Sequence, residues 1–237
     1  MYYGYGMGYY ASMIFLIPAI IFTMIVQARI KSAYNSYSQV ENSHRITGAD
    51  AARTILYANG LGGVPVRTIA SNAQALTNFF DPKSNTVNLS PQVAQDDSVA
   101  SMCIACHEVG HALQYAQGYA PIRFRNAILP AVNLTSTLSW PLIMIGLIMS
   151  SSSRYGSLLF DIGVICFLFV IVFHAITLPV EMNASKRALE QMQACGIVDE
   201  DDLAGSKRVL NAAAMTYVAA LATAVASLLR ILAMRRR

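Results

Sequence analysis

Four stretches of this chain carry almost no charge. Residues 11–26 (ASMIFLIPAIIFTMIV) and 126–153 have no acidic or basic side chain, 162–178 holds only His174, and 209–229 is uncharged but alanine-rich. A membrane span needs about 20 mostly apolar residues, with a range of about 17–25. The first run is short, and Tyr9 and Tyr10 extend it as interfacial anchors. The fourth is the least apolar, so a buried or interfacial helix competes with a span there. Composition agrees with a bilayer: 13% of residues are charged, against about 25% in soluble domains. The chain is therefore expected to be a mainly α membrane protein. About four transmembrane helices should carry a small α+β cytoplasmic domain.

Lys and Arg set the orientation. Nothing basic precedes the first span, whereas Arg29 and Lys31 follow it. Arg123 and Arg125 precede the second span, and Lys186, Arg187, Lys207 and Arg208 lie between the third and fourth. This pattern places 27–126 and 180–208 in the cytoplasm of a multi-pass cell-membrane protein, inner or plasma. The tail Arg235–Arg237 runs against the rule. The net charge of +4 then reports topology, not nucleic-acid binding. MYYGYGMGYY lacks a basic region before the first span, which is read as a retained anchor. Three of the four cysteines fall on the cytoplasmic side, where thiols stay reduced.

The expected organisation is a tail and first span over 1–27, a cytoplasmic region over 28–125, and spans over 126–153, 157–179 and 209–233. A cytoplasmic segment over 180–208 separates the last two. Residues 28–41 continue the first span as a helix. Thr47 caps a second helix that stops at Gly60, and 64–70 reads as a strand. LTNFF and TVNLS flank the turn DPKSN as a hairpin. Asp96, Asp97 and Ser98 open a helix that ends at Gly118.

That helix contains CIACHEVGHALQ, residues 103–114. Two metal-site patterns overlap in it. His107 and His111 lie one turn apart on one face, so both imidazoles can reach one zinc ion. Zinc acidifies water, and Glu108 can take the proton released. The competing Cys103-x-x-Cys106-His107 pattern would attach haem, which requires an oxidising face and leaves Glu108 and His111 without a role. Cys103 as a third zinc ligand fails on distance: eight residues rise about 12 Å along a helix. Cys103 and Cys106 are better read as packing residues.

A third ligand must come from elsewhere, and the candidates are His44, Asp81, His174 and Glu181. His44 sits in a polar linker, Asp81 precedes Pro82 in a turn, and His174 lies within a span. Glu181 is better placed, because the hairpin of spans two and three returns it to the side of the His107 helix. It would complete a His-His-Glu site with one position open. Its alternative is a first-turn acid in a helix after Pro179.

HEVGHALQ, the later PVEMNASKRALE and the preceding DPKSNTVNLSP together resemble the bacterial membrane-bound neutral zinc metallopeptidases of the YugP type. The resemblance runs over nearly the whole chain. More distantly, the arrangement is similar to the HtpX-like gluzincins. Those families follow a glutamate ligand with E-x-x-A-D, where this chain has Glu181, Ala184 and then Ser185. The resemblance implies a zinc endopeptidase with one Zn2+ per chain, held by His107, His111 and Glu181, with Glu108 as catalytic base.

Ser185 and Asn183 are candidates for supporting contacts or an oxyanion donor; Lys186 and Arg187, near enough in sequence to be considered, read instead as interfacial charges that mark the cytoplasmic side. NTVNL, residues 85–89, is a candidate edge strand for an extended substrate. Implied partners are a protein or peptide substrate, the lipid bilayer and membrane-protein regulators. Two non-protease functions compete: a membrane scaffold with a structural or relic zinc site, and a haem protein using Cys103 and Cys106.

Overall fold

The computed structural model describes residues 12–69, 78–149 and 153–235. The expectations for the Tyr/Gly tail, Tyr9, Tyr10, Arg236 and Arg237 lie outside these residues. Among the described residues the fold is mostly helical, with one three-stranded sheet. A 3-10 turn at Met13–Phe15 leads into α1 (Leu16–Tyr37). Then come α2 (Gly48–Ala58), β1 (Val66–Thr68), β2 (Phe79–Asp81), β3 (Thr86–Leu89), α3 (Pro91–Gln95) and α4 (Val99–Ala116). The chain closes with α5 (Ala120–Met149), α6 (Arg154–Ala194) and α7 (Glu200–Arg235).

Among the described residues four helices are long and apolar enough to cross a membrane: Met13–Tyr37, Ala120–Met149, Arg154–Ala194 and Glu200–Arg235. Each extends beyond its apolar run. The largest extension is in α6, which passes through Pro179 without stopping and continues to Ala194. Proline at 179 removes one donor to the carbonyl four residues back, and the helix tolerates that single loss. Glu181 therefore sits inside a long helix, not in the first turn of a new one.

The chain divides into two compact units: Met1–Val26, Phe124–Leu178 and Thr216–Arg237 in one, Gln27–Arg123 and Pro179–Met215 in the other. In the first, Ile143, Phe160, Phe167 and Ile231 form a buried cluster. Asp161 receives a two-pronged ion pair from Arg235, whose guanidinium also lies 5.1 Å from the Phe160 ring centre. The tail arginine that runs against the charge rule is thus partnered by an acid.

The second unit packs α2 and α4 around a core that includes Ile55, Leu56, Val87, Leu89, Met102, Leu113 and Met192. Local signals set its element ends. Thr47 caps α2 by accepting the Asp50 N–H, and Ser98 caps α4 by accepting the Ser101 N–H. Asp96 and Asp97 precede α4 instead of filling its first turn. Asp96 Oδ2 accepts the Ser98 and Ser101 hydroxyls at 2.5 and 2.7 Å. Gly118, at φ +67°, stops α4 in the left-handed region that glycine enters without strain.

The sheet order is β1-β3-β2, with β3 parallel to β1 and antiparallel to β2. The DPKSN hairpin forms as β2 and β3. Asp81 holds its turn by accepting the Lys83 N–H at 2.9 Å and the Ser84 hydroxyl at 2.7 Å. One expectation fails here. Residues 86–89 are the central strand, flanked on both sides, so NTVNL offers no free edge to a substrate. The parallel β1 partner is non-local and leaves no sign in the hairpin sequence.

Candidate metal centre

α4 presents His107 and His111 on one face, and their rings meet edge to face with centres 4.9 Å apart. Glu181, on α6, comes between them. Its Oε2 lies 3.3 Å from His107 Nε2 and 3.4 Å from His111 Nε2. Among the described residues these three form the one group of histidine, cysteine or acidic side chains whose ligand atoms all lie within 4.8 Å of each other. Zinc bonds of about 2.0–2.2 Å at tetrahedral angles separate neighbouring ligand atoms by roughly 3.4 Å. The two edges measured have that length, so the donor set fits a zinc ion by both spacing and chemistry.

Close approach of two backbones makes this convergence possible. A Cβ on Gly110 would stand 2.4 Å from the Ala184 carbonyl oxygen. Only glycine lets α4 lie this near the turn of α6 that carries Glu181 and Ser185. Ala184 is itself fully buried.

Glu108 points to the same region and is 8% exposed. Its Oε2 accepts the Phe80 N–H at 3.2 Å. Burial pushes its carboxyl above the ordinary glutamate range, His107 and His111 pull it back, and Glu181 adds to the rise. The Phe80 donor lies on the side of β2 away from β3. Val87, opposite Phe80, turns its own N–H toward Pro65 beside β1, so Phe80 and Val87 do not exchange bonds. The outer edge of β2 therefore faces Glu108.

A layer of polar groups backs the two imidazoles. The Ser185 hydroxyl lies 3.1 Å from His107 Nδ1, on the ring nitrogen away from Glu181. Gln114 Oε1 lies 3.0 Å from His111 Nδ1. Asn183 does not touch either histidine: its Oδ1 receives Gln114 Nε2 at 2.9 Å and Arg187 Nε at 2.7 Å. Arg187, expected as an interfacial charge, also donates to Gln117 and lies 5.8 Å from the Tyr119 ring centre. Lys186 is exposed and pairs with Glu190 at 3.7 Å.

The remaining ligand candidates lie apart from this group. His44 pairs with Asp199 at 3.5 Å, and Asp81 is committed to its turn. Cys103 and Cys106 are fully buried in the core. Burial pushes the Cys103 thiol up to about 12 and Cys106 well above its usual value. Both behave as packing residues. Sequence reasoning missed Gln114. Its signal is a lone amide three residues after His111, on the ligand stripe of an otherwise apolar helix.

Residues 12–236 match the model of the family described as "Putative neutral zinc metallopeptidase". The chain belongs to this family. It is 39% identical over 214 residues to "Putative membrane protease YugP" of Bacillus subtilis (strain 168), covering 90% of this chain and 92% of the relative. No solved structure matches it. Four helices of membrane-crossing length make this neutral zinc metallopeptidase family member a membrane protein.

Proposed function

We propose that the protein is a zinc-dependent endopeptidase of the cell membrane. It cleaves membrane-associated or misfolded proteins at the cytoplasmic face. The observation that carries this is the placement of Glu181 Oε2 at 3.3 and 3.4 Å from two imidazole nitrogens, with the carboxylate of Glu108 alongside. His107, His111 and Glu181 would hold one zinc ion per chain. Zinc bound there supplies a Lewis acid for the scissile carbonyl and makes water acidic enough to attack near neutral pH.

Glu108 follows the first ligand in sequence, so its carboxylate lies beside the ligand group without joining it. It takes the proton from the attacking water and returns it to the departing amine. The Phe80 N–H fixes its orientation from one side. Ser185 and Gln114 orient the two imidazoles from behind. The charge pattern of the sequence supports the cytoplasmic assignment: basic residues flank the spans on the side of 27–126 and 180–208.

The test compares wild type with Glu108→Gln in detergent, using an unfolded membrane protein as substrate. Both should carry about one zinc per chain, and only wild type should cleave. Cleavage by the glutamine variant removes Glu108 from the scheme. Full zinc with no cleavage by either favours a scaffold with a structural site.

A further inference from the structure

We infer that Gln114 fixes His111 in the tautomer that can bind a metal, and that the polarity of this contact is set from outside the site. The inference rests on the zinc-peptidase reading above and adds a positioning residue to it.

Gln114 is fully buried. A carboxamide can be turned either way round, and only its neighbours decide which end is oxygen. One end lies 2.7 Å from the Val180 carbonyl oxygen, which can only accept. That end must be the NH2 group. The same NH2 group reaches Asn183 Oδ1 at 2.9 Å. Asn183 in turn is oriented by Arg187, whose Nε lies 2.7 Å from the same oxygen and can only donate. A pure acceptor and a pure donor therefore bracket the network, and no flip of either amide satisfies both.

The other end of Gln114 is then Oε1, 3.0 Å from His111 Nδ1. An oxygen with no hydrogen demands a donor, so Nδ1 carries the ring proton. Nε2 then carries the lone pair, and Glu181 Oε2, 3.4 Å from it, takes its hydrogen bond from His107 Nε2 at 3.3 Å instead. His111 Nε2 is the nitrogen a metal needs. His107 is held differently. Its Nδ1 meets the Ser185 hydroxyl at 3.1 Å, and a hydroxyl can donate or accept. His111 is thus pinned to one tautomer, whereas His107 has a partner that follows either.

Nitrogen-15 NMR of metal-free, histidine-labelled full-length protein, at a pH above the imidazole range, reads the tautomer directly. We expect His111 to show its proton on Nδ1, and Gln114→Met, similar in size but without an acceptor, to populate the Nε2–H form. Zinc affinity, measured by chelator competition, should fall about 10- to 100-fold in Gln114→Met. A wild-type His111 protonated on Nε2 would overturn the inference. So would Gln114→Met with unchanged zinc affinity and tautomer. If that variant does not fold, the wild-type spectrum still decides. A wild type that shows the Nδ1–H form yet never holds zinc defeats the peptidase reading and leaves the tautomer assignment standing.

Discussion

Gly110→Ala tests whether backbone proximity assembles the metal site. The added Cβ would lie 2.4 Å from the Ala184 carbonyl oxygen, and 3.0 and 3.2 Å from that residue's carbonyl carbon and Cα. Ordinary contact needs roughly 3.4 Å, so the two backbones must separate by about 1 Å. Two opposing effects act on stability. Overpacking costs about 1–3 kcal/mol, while alanine in a helix gains about 1 kcal/mol over glycine. Net destabilisation is then between about 0 and 2 kcal/mol, and the fold survives.

The site is less tolerant. Functional groups must hold to within about 0.5 Å, and a 1 Å misplacement costs about 100-fold in rate, or about 2.7 kcal/mol. We therefore expect zinc affinity and kcat to drop by about two orders of magnitude with only a small shift in Tm. Chelator competition, peptide cleavage and thermal denaturation in detergent separate the effects. Ala184→Gly should not rescue the variant, because the obstacle is main chain. Wild-type zinc affinity and cleavage in Gly110→Ala would refute the reasoning.

Further outcomes follow from the same geometry. Glu181→Gln keeps the shape but removes the charge between two imidazoles. It should lose zinc at chelator concentrations that leave wild type loaded, and equal retention would exclude Glu181 as a ligand. Ser185→Ala should lower zinc affinity by no more than about tenfold, less than Gln114→Met, because its hydroxyl does not dictate a tautomer. Glu108 must be ionised to accept a proton, and burial raises its carboxyl above the usual range. Cleavage should therefore fall along a single-proton limb as pH drops; cleavage undiminished at acid pH while zinc stays bound contradicts the assignment. The Asp161–Arg235 pair is about half exposed. Asp161→Asn should change stability by less than about 1 kcal/mol in a thermal melt, and a larger loss would show that the pair is structurally required.

What could be read from the sequence was local. Four nearly uncharged runs required apolar surroundings, and among the described residues four helices of membrane-crossing length overlap them. Thr47, Ser98 and Gly118 set helix ends because a cap needs only the next few residues. His107 and His111 share a face because 3.6 residues make a turn. What the sequence left open depended on distant segments meeting. Glu181 could be named as one of four ligand candidates, but only the packing of α4 against α6 across Gly110 brings its oxygen to the imidazoles. Arg187 read as an interfacial charge until its neighbours Asn183 and Gln117 were known. NTVNL read as an edge until β1 proved to lie on its other side. The physical reason is the range of the forces involved: capping and helical periodicity act over a few residues, whereas which groups share a buried site is decided by close packing between elements far apart in the chain.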